Sequence, residues 1–237
     1  MASEPRLLAT LALPRGAPES GFSLDVSLDF GPGLNVLFGP SGSGKTTVLS
    51  ALSGLLRPAS GRISLAGRTL FDSAARIDLP ANERRIALVF QSLALFPHLD
   101  ALGNVAFGLP RGPSKTEQLE RASSWLSRMH VAHLARRYPS SFSGGEAQRV
   151  ALARALASEP HALLLDEAFS SLDQQLANEL RDELAEYVSA LSLPVVLVTH
   201  DRAFARDTGG RLTLLRAGRV EQVGQARELL SDTSSVA

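Results

Sequence analysis

The stretch GPSGSGKTT, residues 39–47, comes directly after the apolar run LNVLF and runs into an apolar segment with helical spacing. Gly39, Gly44, Lys45 and Thr46 fit the pattern G-x-x-x-x-G-K-[ST] in full. A strand before this pattern and a helix after it are the context in which it binds phosphate. A plain turn or a flexible linker would not need the lysine. The stretch therefore predicts a strand, a phosphate-binding loop and a helix in succession.

The residue types in this loop suit a polyphosphate. Glycine lets backbone N–H groups point inward, and the start of a helix adds positive potential at the same place. Lys45 would place its ammonium group against the β- and γ-phosphates, and the Thr46 hydroxyl would be a ligand of Mg²⁺. We expect a nucleotide to contact the whole loop, namely Gly39, Pro40, Ser41, Gly42, Ser43, Gly44, Lys45, Thr46 and Thr47.

The composition of the chain excludes several function classes. The 237 residues include 24 basic and 24 acidic side chains, so no bulk charge draws the protein to nucleic acid or to an acidic membrane. There is no cysteine, which rules out disulfides and cysteine metal sites. No apolar run reaches the roughly 20 residues of a membrane span, and the first residues lack a signal-peptide pattern. We expect the protein to reach a membrane only through a partner.

Short apolar runs alternate with helical stretches along most of the chain. Runs rich in Val, Leu and Ile are typical of strands that are buried on both faces. Strands that alternate with helices predict a parallel sheet in an α/β fold. The strands are predicted at 34–39, 85–90, 162–166 and 194–199, and the two clearest helices at 46–56 and 145–159.

Other regions have a different character. Residues 22–30 and 61–72 alternate apolar and polar side chains, which predicts an antiparallel sheet beside the main core. Residues 92–142 show helical periodicity without strong strands, as at 116–129, and predict a helical insertion. The last residues, 231–237, are expected to fray.

Three further strand ends carry side chains that suit phosphoryl transfer. Asp166 and Glu167 end one buried strand, Gln91 follows another, and His200 ends a third. The carboxyl ends of parallel strands meet at one edge of the sheet, where ligands of open α/β folds bind. We expect Thr46, Gln91 and Asp166 to hold Mg²⁺, and Glu167 to orient the attacking water. Taken one at a time, each of these could equally be an ordinary polar strand end.

The run SFSGGEAQRVALARAL, residues 141–156, resembles the signature motif of ABC ATPases, usually written LSGGQ. SSLD at 170–173 resembles their D-loop, Gln91 their Q-loop glutamine and His200 their switch histidine. With the phosphate loop, these motifs follow one another in the family's order. The resemblance implies an α/β fold: a P-loop ABC-type ATPase core, an N-terminal antiparallel β subdomain and an inserted α-helical subdomain at about 92–158.

The resemblance also implies how ATP and Mg²⁺ are used. In the family, the signature motif of one copy caps the ATP that the other copy holds, so two copies form a head-to-tail dimer. Lys45, Glu167 and His200 would be the catalytic residues. The residues that would reach the ATP of the second copy are Ser143, Gly144, Gly145, Glu146 and Asp173.

The sequence departs from the family pattern in several places. Phe142 and Glu146 stand where Leu and Gln are usual, and Ala168 replaces the proline that commonly follows the Asp-Glu pair. Many members stack an aromatic ring near the N-terminus on adenine. Residues 13–20 contain no aromatic side chain, so either Arg15 stacks there or adenine is held loosely.

Residues 67–109 resemble the ATP-binding subunit of molybdate importers in particular. We therefore expect an ATPase that powers molybdate import through a separate membrane permease, from the cytoplasmic face of the membrane. A substrate-binding protein would be an indirect partner. Subunits that serve sulfate, phosphate, ferric iron or sugar importers are similar and remain alternatives. The apolar segment 93–109, which follows Gln91, is expected to accept the permease.

Two interpretations from other classes remain open. A nucleic-acid-associated or ribosome-associated ABC ATPase would need coiled-coil arms or a second ATPase cassette, and the sequence shows neither sustained heptads nor an internal repeat. We expect no nucleic acid as a partner. A non-catalytic ATP-binding module is disfavoured because Lys45, Asp166, Glu167 and His200 are all present.

Overall fold

A computed structural model of the chain describes residues 5–13, 23–110, 114–169 and 174–231. In these residues the strands form one mixed sheet. The strands are β1 (Leu7–Leu13), β2 (Leu24–Phe30), β3 (Gly33–Phe38), β4 (Ser60–Leu65), β5 (Arg68–Asp72), β6 (Ile77–Asp78), β7 (Ile86–Val89), β8 (Ala162–Asp166), β9 (Pro194–Thr199), β10 (Arg211–Arg216) and β11 (Arg219–Gln225). The helices are α1 (Lys45–Ser53), α2 (Ala101–Gly108), α3 (Lys115–Arg128), α4 (Gly144–Ala157), α5 (Gln174–Leu191), α6 (Arg202–Asp207) and α7 (Ala226–Leu229). The strand order is β6-β5-β4-β1-β2-β11-β10-β3-β9-β8-β7.

The parallel part of the sheet consists of β10, β3, β9, β8 and β7. Every residue of β8 and β9 is buried, which explains why their sequences are apolar runs without alternation. The four predicted strands of this part are confirmed, with ends that differ by at most one residue. Because these strands are parallel, their carboxyl ends meet at one edge of the sheet.

The antiparallel part consists of β6, β5, β4, β1 and β2. The strand predicted at 61–72 is two strands, because a two-residue turn at Ala66 and Gly67 separates them. Both turn residues have positive φ, 48° and 79°, a geometry that matches the twist of paired strands. The predicted antiparallel sheet is thus confirmed. It joins the parallel part through a bridge between Arg219 of β11 and Asp25 of β2.

The described residues between β7 and β8 form helices and no strand. Ser114 and Glu117 form a capping box at the start of α3, which confirms the helix predicted at 116–129. Buried side chains of α2, α3 and α4 share one core with β7 and β8. The helix predicted at 46–56 ends early, at Ser53, because Gly54 adopts a left-handed φ of 85° and caps α1.

The longest helix, α5, has 18 residues. Its sequence mixes charged and apolar residues, as expected for a helix that packs one face against a core. Among the described residues no helix combines the length and the apolar character needed to cross a lipid bilayer.

Candidate nucleotide site

The phosphate loop joins β3 to α1. Gly39 packs against the backbone of β10, where an added Cβ would lie 2.1 Å from the carbonyl oxygen of Leu215. Gly44 precedes α1 with a φ of 105°, a conformation that side chains rarely adopt. The backbone path therefore requires both glycines, and this path places the N-terminus of α1 at the loop.

Lys45 is the first residue of α1, and its side chain folds back over the loop. Its Nζ donates hydrogen bonds to the carbonyl oxygens of Gly39, at 2.8 Å, and Pro40, at 2.9 Å. Burial lowers the pKa of Lys45, while the charges of Glu167 and Asp166 act in the opposite direction. An ammonium group has three N–H donors, so one remains for a ligand oxygen.

A cavity of 270 Å³ opens beside the loop. The Ser43 hydroxyl is buried within the same loop and has no hydrogen-bond partner among the described residues. A buried hydroxyl without a partner and a lysine with a spare donor both fit a phosphate group. The lining residues are Ser41, Gly42, Gly44, Lys45, Thr46, Thr47 and Glu167.

Asp166, the last residue of β8, lies within hydrogen-bond distance of α1. The Thr46 Oγ1 donates to its Oδ1 at 3.4 Å. Asp166 is 8% exposed, and burial raises the pKa of its carboxyl group. Hydroxyl and carboxylate oxygens suit Mg²⁺, which takes its other ligands from phosphates and water, so this pair fits the ion. In the part of the chain that the structure describes, no three His, Cys, Asp or Glu side chains form a metal cluster by themselves.

Glu167 connects three strand ends. Its Oε1 lies 3.0 Å from Nδ1 of His200, and its Oε2 accepts a 3.4 Å hydrogen bond from Nε2 of Gln91. The Glu167 N–H donates to the Val198 carbonyl at 3.1 Å, and its φ of 47° is a strained conformation that this contact supports. The structure thus brings Gln91, Glu167 and His200 together, and Glu167 is the one of the three that lines the cavity. The Gln91 amide contacts Glu167 and not Asp166.

The signature motif lies at the N-terminus of α4. The Ser143 Oγ accepts a hydrogen bond from the Glu146 N–H at 3.3 Å, and the Glu146 Oε2 accepts one from the Ser143 N–H at 2.7 Å. Glutamine can complete the same capping box, so glutamate in its place keeps the local structure. Hydrogen bonds from Ser143 lower the pKa of Glu146, and His133 Nε2 lies 3.2 Å from its Oε1.

Among the described residues, no hydrogen bond or ion pair joins the signature residues to the phosphate loop of the same chain. Ser143 and Gly144 are exposed, whereas Gly145 is buried. Two predicted site residues, Asp173 and Arg15, lie outside the described residues, as does the tail beyond Ser231.

Arg154, which no sequence pattern marks, holds the segment that follows Gln91. It donates to the carbonyl oxygens of Leu93, at 2.8 Å, and Ala94, at 2.7 Å, and both of these residues have positive φ. Its guanidinium also lies 5.4 Å from the centre of the Phe96 ring. The helix that begins at the signature motif therefore supports this segment directly. The sequence feature that could have pointed to Arg154 is its position as the one arginine among the apolar residues of ALARAL.

Arg84 is a second structurally important residue that no sequence pattern marks. It is 1% exposed and donates to the carbonyl oxygens of Ala51, at 2.7 Å, and Leu52, at 3.0 Å, at the end of α1. A cation at this end satisfies carbonyls that lack helical partners and complements the helix dipole. Arg84 therefore anchors the far end of the helix that begins with Lys45. The sequence does not show which arginine of ERRI is buried.

The chain is similar in sequence to known proteins of one family. The sequence profile of the family described as ABC transporter matches residues 24–170. The Fe(3+) ions import ATP-binding protein FbpC 1 of Rhizobium meliloti (strain 1021) is 45% identical over 213 residues. The molybdenum import ATP-binding protein ModC of Paramagnetospirillum magneticum (strain ATCC 700264 / AMB-1) is 41% identical over 213 residues. Each alignment covers 89% of this chain, but only 59% and 58% of the relatives' own lengths.

Solved structures share the fold. The ATP-binding cassette MJ0796, in a dimeric post-hydrolysis state bound to ADP and Pi, matches with a TM-score of 0.78 and 30% identity, covering 94% of this chain and 99% of that chain. The cbiO1 protein from Clostridium perfringens, part of the ABC transporter complex cbiONQ, matches with a TM-score of 0.81 and 26% identity, covering 95% of this chain and 90% of that chain. The expected α/β cassette fold is confirmed, and the chain belongs to the ABC transporter family.

Proposed function

We propose that this chain is the ATP-hydrolysing subunit of an import-type ABC transporter. The observation that carries the proposal is the position of Glu167, which lines the phosphate cavity and contacts both His200 and Gln91. An acid held beside a phosphate site by two neighbours is suited to orient a water molecule for attack on a phosphoryl group. Import is supported by the relatives FbpC 1 and ModC, whose names describe import ATP-binding proteins.

ATP binding in this proposal rests on the loop and on α1. Lys45 and the backbone N–H groups at the start of α1 attract the phosphates. Because phosphate is anionic, its arrival raises the lowered pKa of Lys45 and keeps the ammonium group charged. Thr46, Asp166 and Gln91 would hold Mg²⁺, which neutralises phosphate charge when it is bound.

The hydrolytic step in this proposal depends on Glu167. Its carboxylate accepts a hydrogen bond from the attacking water and holds it in line with the γ-phosphate. His200 donates from Nδ1 to Glu167 when the imidazole is neutral, and Gln91 donates to the other carboxylate oxygen. His200 is positioned to steady the γ-phosphate as well, because its ring is more than half exposed at the same edge of the sheet.

A head-to-tail dimer completes the proposed site. Its support is the dimeric state of the MJ0796 cassette and the exposure of Ser143 and Gly144 on this chain. In such a dimer the capped N-terminus of α4 faces the ATP of the second copy, and its N–H groups favour an anion. The residues proposed to act there are Ser143, Gly144, Gly145, Glu146 and Asp173.

We propose that segment 93–109 accepts the membrane permease. Phe107 is 67% exposed, and its ring lies 4.5 Å from the ring of Phe96, so the two form an apolar patch. Phe107→Glu should abolish copurification with the permease and leave ATP binding intact. The matched control is Val223→Glu, at an exposed apolar position on β11. Unchanged assembly of Phe107→Glu would contradict this assignment.

The solute candidates are ferric iron and molybdate. FbpC 1 exceeds ModC in identity by 4 percentage points, 45% against 41%, whereas residues 67–109 resemble the molybdate subfamily. Ferric iron is the first candidate because of the higher identity over the chain, and molybdate is the second. In such importers the permease and the binding protein contact the solute, so this chain does not carry the specificity.

Two measurements test the proposal at separate levels. The purified chain should hydrolyse ATP, and Lys45→Ala should abolish turnover while the circular dichroism spectrum is unchanged. Binding of ATP without turnover by the wild type would instead indicate a non-catalytic module.

Cells that lack the chain should lose uptake of labelled ferric iron or of molybdate, and the wild-type chain should restore this uptake. Normal uptake of both, with ATP turnover intact, would contradict both solute assignments.

A further inference from the structure

A cavity of 520 Å³ lies at the edge of the sheet opposite to the nucleotide site. Arg85 directly precedes β7, His161 directly precedes β8 and Leu193 directly precedes β9, and all three line this cavity. The phosphate loop follows the carboxyl end of β3, so the amino ends of the parallel strands lie on the other side. The two cavities have no lining residue in common.

The walls of this cavity are largely apolar. Leu156 of α4 and Leu193 before β9 are almost fully buried, and Trp125 of α3 is half-buried beside them. Pro160 completes this wall between α4 and β8. Concave surfaces of this composition bind the apolar part of a ligand through the hydrophobic effect.

The rim of the same cavity carries positive charge. Arg85 and Arg128 both line it, and neither lies within ion-pair distance of a carboxylate in the described part of the chain. The Arg128 guanidinium lies 4.9 Å from the centre of the Trp125 ring. Glu159 also lines the cavity, but Arg121 pairs with its carboxylate and offsets its charge. The cavity therefore favours an anion.

His161 adds a hydrogen-bond donor. Nη1 of Arg85 lies 3.3 Å from Nε2 of His161. A guanidinium can only donate, so this ring nitrogen accepts and Nδ1 carries the proton. Burial, together with the charges of Arg85 and Arg68, lowers the pKa of His161 and keeps the ring neutral.

We propose that this cavity binds a small organic anion: a carboxylate with an apolar body. The carboxylate pairs with Arg85 and Arg128, and the apolar body covers Trp125 and Leu156. An inorganic anion would leave the apolar walls uncovered, and an uncharged hydrocarbon would leave both guanidinium groups without an ionic partner. This site is independent of ATP hydrolysis and of the proposed function.

Trp125 is the only tryptophan of the chain, so its fluorescence reports on this cavity. The full chain would be titrated with decanoate, with decanol as the uncharged analogue and acetate as the anion without an apolar body. Decanoate should give a saturable change, with decanol and acetate at least about tenfold weaker. Arg85→Gln and Arg128→Gln should each weaken decanoate binding about tenfold. Arg219→Gln, which removes an exposed arginine of β11, should leave it unchanged.

Arg128→Gln also alters the surroundings of Trp125, so a second readout is needed. Equilibrium dialysis with radiolabelled decanoate measures binding without fluorescence and should give the same order of affinities. Any of three results would overturn the proposal: equal affinity for decanol and decanoate, an affinity that Arg85→Gln and Arg128→Gln both leave unchanged, or the absence of saturable binding.

Discussion

Nδ1 of His200 lies 3.0 Å from Oε1 of Glu167, and the two residues follow different strands of the sheet. Gln91 donates to the other oxygen of the same carboxylate at 3.4 Å. The Glu167 side chain is 19% exposed and that of His200 is 55% exposed, so the carboxylate is the more buried member of the pair. A carboxylate held at both oxygens keeps one orientation, and a group that positions water needs such restraint.

Glu167→Gln preserves the shape of this side chain and removes its charge. We expect ATP turnover to fall by about 100-fold or more, as for the loss of a general base. ATP binding should be retained. Because hydrolysis would no longer open the proposed head-to-tail dimer, ATP should convert the variant to a stable dimer in light scattering. A turnover equal to that of the wild type would show that another group orients the water.

Asp166→Asn should stabilise the nucleotide-free protein at neutral pH. Burial raises the pKa of Asp166 above its value in the unfolded chain, so the folded state binds the proton more tightly. The ionised form therefore costs stability, and this cost develops as the pH rises from the unfolded pKa through the folded pKa. The variant should show a higher Tm than the wild type at neutral pH, and the difference should shrink as the pH is lowered. A Tm below that of the wild type would contradict this account.

Arg84→Met should destabilise the fold strongly. Its buried guanidinium donates to the carbonyl oxygens of Ala51 and Leu52 at the end of α1, and each buried acceptor left without a partner costs about 1–3 kcal/mol. It also pairs with the partly exposed Asp78 at 3.1 Å. Arg57→Met is the matched control, because Arg57 contacts the same Asp78 at 3.3 Å with its side chain 75% exposed. The control should cost about 1 kcal/mol or less in urea unfolding. Equal losses in the two variants would refute the role assigned to burial.

Arg154→Met should loosen the segment that follows Gln91. It removes two hydrogen bonds from a charged donor, and we expect the free energy of unfolding to fall by about 2 kcal/mol. Arg136→Met is the control. It breaks a pair between the exposed Arg136 and Asp100 at 3.7 Å and should change the free energy of unfolding by about 0.5 kcal/mol or less. ATP turnover should fall more than ATP affinity in Arg154→Met, since the phosphate loop is untouched. A change in affinity alone would count against the link to Gln91.

Gln148→Met should stabilise the protein. Gln148 is fully buried in α4, and neither atom of its amide has a hydrogen-bond partner among the described residues. Methionine has a similar length and no amide to desolvate, so a gain of about 1–2 kcal/mol is expected in chemical denaturation. Gln148→Ala should instead destabilise, because it leaves a cavity. A loss of stability in Gln148→Met would show that the amide has a partner.

Much of the fold could be predicted because its signals are local. The buried strands at 162–166 and 194–199 are apolar runs, and the glycine pattern from Gly39 to Gly44 carries its own backbone requirement. The predictions fail where a local signal is weak. Alanine is not a typical turn residue, so the positive φ of Ala66 that divides 61–72 into β4 and β5 was not predictable from residue type.

The sequence by itself determined four strands of the parallel part, the phosphate loop and the presence of acids and a histidine at strand ends. It did not predict β1, β10, β11 or the helices after β8. Only the tertiary structure decided that Glu167 meets Gln91, 76 positions away, and that Arg84 is buried while Arg85 lines a second cavity. The physical reason is the distance along the chain over which each kind of interaction acts. Periodicity and backbone preference act over a few neighbouring residues, whereas burial and pairing depend on which distant strands the sheet brings side by side.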